Sequence, residues 1–257
     1  LEIVNKIRDI LFRVPRFPVM ILEEYPNFDL GEIKRLKSLK NIHAGEKCFI
    51  VGNGPSLKNT DLRFLEDEIT FGFNGIYLNK FGFKPTYYMA TDTRVFEQFD
   101  NDFYNFYKEK AFFPIKFKNK IPLISRNNKF FFNVNRGFHI VKSPNYKVPR
   151  FSNNPCKRVY EAPSVIFYCL QLAKFLGFDE INLVGVDFNY DKGSHFISGY
   201  INNCKNWNKP DEVDLINCLM LANKELKDVG ISVNDLTIGG KLPLFNKISF
   251  DEYFSWK

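Results

Sequence analysis

The chain has 257 residues, of which 45% are hydrophobic and 17% aromatic, and its 36 Lys and Arg against 29 Asp and Glu give a formal net charge of +7. This length supports one α/β domain with a substantial core. No run of 18 apolar residues marks a membrane span and no signal-peptide pattern marks secretion, so a cytosolic protein is expected. The positive balance points to an acidic partner: a nucleotide, a phospholipid surface or a nucleic acid. The charge reads as spread, without a basic stripe or a reader module, and that argues against nucleic acid. Five Cys (48, 156, 169, 204 and 218) follow no paired spacing and read as buried reduced thiols.

Residues 3 to 13 place Ile3, Ile7, Ile10 and Leu11 on one helical face with Lys6, Arg8 and Arg13 elsewhere, before Pro15 and Pro18 end the pattern. This basic amphipathic helix reads as packing on the protein's own body or on a second subunit, making a homo-oligomer, in preference to peripheral contact with the inner membrane face. A second helix is expected from Leu30 to Leu39, with Asp29 as N-cap. Residues 1–45 thus form an N-terminal helical appendage, and 46–250 a nucleotide-binding domain.

A strand over 47–51 runs into Gly52-Asn53-Gly54-Pro55-Ser56-Leu57 and a helix over about 56–65. Two glycines beside a helix N-terminus would admit a phosphate to free N–H groups. A strand over 69–73 ends at Asn74-Gly75, and a short helix follows through Leu78 to Phe81. Thr86 to Ala90 closes on Thr91-Asp92. Between 100 and 160, apolar bursts broken by Asn, Lys and Pro read as edge strands and loops of a lid-like insertion. A nearly all-apolar helix over 162–176 has Pro163 in its first turn and Gly177 as C-cap. Next come a strand from Ile181 to Val186 that stops at Asp187, a helix from Glu212 to Asp228, and a last strand over 231–235. Alternating strands and helices make an open, doubly wound, mostly parallel Rossmann-like sheet, which binds ligands at its strand carboxyl ends. Those ends carry Asn53 to Ser56, Asn74, Thr91-Asp92, Asp187 and Asn234.

Arg35 to Gly45, Phe49 to Leu57, Phe73 to Tyr77, Lys84 to Tyr88, Asp92 and Leu183 to Phe188 together resemble the MptE-like family, named for 6-hydroxymethylpterin diphosphokinases. The same scaffold is similar to the bacterial family-42 sialyltransferases, a GT-A-like variant that uses CMP-sialic acid. Their pattern is matched by Asn53 to Leu57, Asn74, Phe96-Glu97-Gln98 and Gly185 to Phe188. The resemblance implies that Asn53, Ser56 and Asn74 contact CMP, with Ser164 standing in a partly kept nucleotide-binding turn. It also implies a His as general base. His195 is the candidate, since neutral imidazole accepts a hydroxyl proton near pH 7, whereas His43 and His139 read as structural.

Asp187 and Asp92 are expected to bind a sugar hydroxyl, orient His195, hold Mg2+ or simply cap a helix. Tyr190 and Tyr200 flank this site, Arg94, Lys157 and Arg158 offer positive charge, and Asp100-Asn101-Asp102 reads as a solvated turn. The leading expectation is a glycosyltransferase moving a sugar, a CMP-activated acidic one, from a nucleotide-sugar donor to a cell-surface or lipid-linked glycan, with no cofactor required and no protein-held metal. The alternatives are Mg2+-dependent pterin diphosphotransfer from ATP and non-catalytic nucleotide or glycan binding.

Overall fold

The computed structural model describes residues 29–79, 82–97, 109–135, 149–188, 212–240 and 242–255. Ten strands are described: β1 (Lys47–Val51), β2 (Thr70–Phe73), β3 (Tyr87–Met89), β4 (Lys110–Pro114), β5 (Lys129–Phe132), β6 (Val134–Asn135), β7 (Val159–Tyr160), β8 (Glu180–Val184), β9 (Ser232–Asp235) and β10 (Asn246–Lys247). Eight of them form one sheet in the order β10-β9-β8-β1-β2-β3-β4-β5, with every pairing parallel, while β6 and β7 pair separately. From β1 the chain adds strands outward to β5, then returns to the other side of β1 with β8. The order therefore reverses between β1 and β8, where a parallel sheet opens a ligand crevice at its carboxyl ends.

Both faces of the sheet are covered, so its strands are apolar on alternate sides without alternating with polar residues. Phe112, Phe130 and Phe132 face the layer that holds α1 (Leu30–Lys37), α3 (Val165–Leu176) and α4 (Glu212–Lys227). Phe113 and Phe131 face the other layer, built from short 3-10 turns and α5 (Phe250–Ser255). Asp29 caps α1 through the Glu32 N–H, as its sequence position predicts. His43 stacks on Phe178 with ring centroids 4.6 Å apart and bonds the buried Tyr87 hydroxyl at 2.6 Å, a packing role.

Several expectations change. The helix expected over 56–65 is two 3-10 turns, Pro55–Asn59 and Leu62–Leu65, separated where Thr60 and Asp61 leave helical geometry. The turn after β2 begins at Asn74 and ends at Leu78. Within the stretch expected as a lid-like insertion, β4 and β5 are full members of the sheet, and only β5 is an edge. Beyond 235, β10 and α5 complete the sheet and one face, elements without a signal in the sequence reading. Asn234 is an interior rung: its side chain donates to Asn182 and accepts from Asn246, a ladder across three strands. The amphipathic helix over 3–13, Asp100-Asn101-Asp102, His139, Tyr190, His195, Tyr200 and Cys204 lie outside the described residues.

Candidate functional site

The carboxyl ends of β1, β2 and β8 converge at the reversal point. Asn53, just past β1, donates from Nδ2 to the Phe73 carbonyl at 2.8 Å, tying the β1 end to the β2 end. Asn74 follows Phe73 with φ 49°, a left-handed conformation that Asn tolerates better than most residues. Its carbonyl accepts from the Tyr88 hydroxyl at 2.7 Å. Asn53 Oδ1 and Asn74 Oδ1 are both buried and have no hydrogen-bond partner. Two amide acceptors thus stand unsatisfied on neighbouring strand ends.

Three N–H groups of the Gly52–Ser56 corner, those of Gly52, Gly54 and Ser56, are spent inside the protein and not offered to a ligand as the sequence suggests. Gly52 N–H donates to the Val184 carbonyl at 2.7 Å, Gly54 N–H to Gly185 at 2.9 Å and Leu57 N–H to Gly54 at 3.2 Å. Ser56 gives its N–H to Asp187 Oδ1 at 3.1 Å and its hydroxyl to Oδ2 at 2.7 Å. Pro55 has no N–H. The chain's own carboxylate therefore occupies the place expected for a phosphate, and the five-residue 3-10 turn supplies no long helix dipole. The glycines serve this closure. A Cβ on Gly54 would lie 1.7 Å from Asp187 Oδ2, and one on Gly52 2.3 Å from the Gly185 carbonyl oxygen.

Burial pushes the Asp187 carboxyl above its ordinary value, and neighbouring Asp235 adds to the rise, while the Ser56 hydrogen bonds and Lys247 oppose it. Phe188, next in sequence, holds φ 53°, a strained backbone for a bulky residue at the mouth of the crevice. Sequence reasoning missed the support behind Asp187. Thr237 Oγ1 accepts from Val186 N–H at 3.0 Å, its own N–H donates to the fully buried Asp235 at 2.9 Å, and Lys247 pairs with Asp235 at 2.9 Å. Asp235-Leu-Thr237 at a strand end was the available signal, but Lys247 stands on a strand with no pattern of its own.

The remaining predicted residues are placed as follows. Thr91 lies just past β3. Asp92 caps the short helix α2 (Thr93–Phe96) and accepts from the Arg94 guanidinium in contacts of 2.6 to 3.1 Å. Burial raises the Asp92 carboxyl, but the Arg94 hydrogen bonds outweigh it and the net direction is down. Arg94 is thereby committed to Asp92, Arg158 is buried and Lys157 is exposed. Ser164 caps α3, its hydroxyl accepting from Ile166 N–H at 3.3 Å. Because α3 leads into the amino end of β8, its N-terminus and positive dipole end lie on the carboxyl side of the sheet. Asn53, Ser56, Asn74 and Asp187 are thus brought together, with Asp92 one strand further out.

Residues 21–193 match the family model described as 6-hydroxymethylpterin diphosphokinase MptE-like. The chain belongs to the MptE-like family. A search of curated sequences returns no match for this MptE-like chain. Among solved structures it is similar to the sialyltransferase CstII from Campylobacter jejuni in complex with a substrate analogue, CMP-3FNeuAc, at 18% identity and TM-score 0.48, covering 79% of this chain and 86% of that one. It is also similar to a variant of the sialyltransferase CST-II in complex with CMP, at 19% identity and TM-score 0.50, covering 78% and 85%. The likeness to that second structure extends the shared ground to the open α/β fold.

Proposed function

We propose that this MptE-like protein is a nucleotide-dependent transferase, and that its reaction is glycosyl transfer from a CMP-activated acidic sugar to a cell-surface or lipid-linked glycan. The observation that carries this reading is the pair of unsatisfied acceptors, Asn53 Oδ1 and Asn74 Oδ1. Leaving such a group buried without a donor costs about 1–3 kcal/mol. A bound nucleoside relieves the cost, because ribose hydroxyls and the exocyclic amine of cytosine are donors, whereas a fully ionised phosphate offers none. Phosphate then falls to the N-terminus of α3, a twelve-residue helix capped by Ser164. CMP is the ligand of the similar sialyltransferase structure, which supports trying it first.

In this reading His195 takes the proton of the acceptor hydroxyl as that oxygen attacks the anomeric carbon, and CMP departs with the bonding electron pair. Asp187 acts through Ser56 as a positioning residue. The family description favours a second reading, Mg2+-dependent diphosphotransfer to a pterin alcohol, in which Asp92 and Asp187 would be the metal ligands. Both carboxylates are held by protein donors, Arg94 and Ser56, and in this arrangement they do not fit a cation that demands near-octahedral oxygen ligation.

The test is a melting-temperature panel of CMP, CDP, UDP, GDP, ATP and AMP with and without Mg2+, followed by product assays on the stabilising nucleotide. Selective stabilisation by CMP and release of CMP from a CMP-sugar support the proposal. AMP released from ATP in the presence of a pterin alcohol would replace it with the kinase, and selective binding without turnover would leave a nucleotide-binding protein. His195→Ala should abolish turnover with affinity retained.

A further inference from the structure

Between Lys110 and Tyr160 the sequence carries twelve Lys and Arg and no Asp or Glu, so a third of the basic residues falls in a fifth of the chain. The positive charge is concentrated, contrary to the even spread first read from it. Within this block the crossing from β4 to β5 folds as two 3-10 turns, Ile115–Lys120 and Leu123–Ser125. Their apolar residues divide sharply. Phe117 and Ile121 are each 1% exposed in the core under the sheet, whereas Leu123 and Ile124 are 77% and 90% exposed.

The exposed pair stands on a well-anchored tip. Ser125 N–H donates to the Pro122 carbonyl at 2.9 Å, and Arg126 holds the Ile121 carbonyl through Nε at 2.9 Å. Arg35 of α1 clamps the carbonyls of Arg126, Asn127 and Lys129 at 2.8–3.1 Å. The acids that face this segment are Asp29 and Glu32, both paired with Lys118, and Glu97, 3.8 Å from Lys120. The Asp29 contact also brings Leu30, 74% exposed, to the same edge. Lys116 and Lys120 remain exposed beside the tip.

We propose that this tip docks the protein on an anionic lipid bilayer: Leu123 and Ile124 enter the headgroup boundary while the exposed Lys116 and Lys120 lie against the lipid phosphates. Aliphatic side chains offset by surrounding Lys and Arg are what an interfacial wedge needs, since apolar insertion and attraction to anionic lipid add. A single-stranded nucleic acid would call for aromatic faces on which bases stack, and the tip presents none. Two or three side chains are also far short of the roughly 800 Å² per partner of a stable protein interface. The lipid surface is the occupant that the chemistry fits.

The test is co-sedimentation of the full chain with vesicles of phosphatidylcholine alone or mixed with phosphatidylglycerol, at low and high salt. Binding is expected only to the anionic vesicles, falling with salt. Leu123→Ser with Ile124→Ser should cut the bound fraction at least about tenfold, and Lys116→Glu with Lys120→Glu should abolish it, both with an unchanged melting temperature. The proposal is overturned if the wild type ignores anionic vesicles or binds both kinds equally. It is also overturned if the Ser variant sediments like the wild type, or if an oligonucleotide is bound in preference to lipid.

Discussion

Gly54→Ala should collapse the closure at the β1 end. The added Cβ would lie 1.7 Å from Asp187 Oδ2, 2.6 Å from its Cγ and 2.7 Å from the Gly185 carbonyl oxygen, where a carbon needs roughly 3.5 Å. Asp187 must swing out, breaking its hydrogen bonds to Ser56 at 3.1 and 2.7 Å. Bonds to a charged group are worth about 1.5–3 kcal/mol each. Relief of the Gly185 contact adds about 1–2 kcal/mol. Asp187 regains hydration once displaced, which offsets part of the loss, so a net cost of roughly 4 kcal/mol is expected. Urea unfolding of a double-mutant cycle checks the cause. In an Asp187→Ala background the same Gly54→Ala change should cost only the residual 1–2 kcal/mol or so. Equal costs in both backgrounds, or a cost under about 0.5 kcal/mol in the wild type, would refute the reasoning.

Three further outcomes follow from the geometry. Asp92→Ala should lose about 1 kcal/mol of stability near neutral pH through the lost cap; because the Asp92 carboxyl is lowered, the gap to wild type should hold above the ordinary carboxylate value and close as pH falls through the lowered one, read by chemical unfolding across acid pH. Lys129 is 2% exposed and its ammonium is lowered to about 8 by burial, so its charged form opposes folding. Wild type should therefore gain stability relative to Lys129→Met as pH rises from about 8 toward 10.5, and a constant difference would contradict this. Cys48, Cys169 and Cys218 are fully buried with thiols raised by burial, and should react with a thiol reagent only on unfolding. The partly exposed Cys156 should react in the native state.

What could be read from the sequence was whatever local pattern decides. The apolar run of β1, the N-cap Asp29, the all-apolar α3 and its C-cap Gly177 were legible because periodicity and capping act over a few residues. The closing of the corner was not. Gly52-Asn-Gly-Pro-Ser looks like a phosphate turn, and only the arrival of Asp187, 131 residues later, shows that the glycines make room for a carboxylate. β4 and β5 were read as a lid because strands covered on both faces lose the alternation that separates them from loops with apolar bursts. Asn234 looked like a ligand contact because a polar residue near a strand end cannot be told from a rung of a side-chain ladder until the neighbouring strands are known.

Titration calorimetry with CMP tests the central claim most directly, that the β1 and β2 ends hold a nucleoside through Asn53 Oδ1 and Asn74 Oδ1. Wild type should bind CMP, and Asn53→Ala and Asn74→Gly, the latter chosen to keep the positive φ, should each weaken it at least about tenfold, or about 1.4 kcal/mol. Both should be measured well below their own melting temperatures, since Asn53→Ala also loses the bond to Phe73. No heat of binding from the wild type, or CMP affinity unchanged in both variants, would contradict the account.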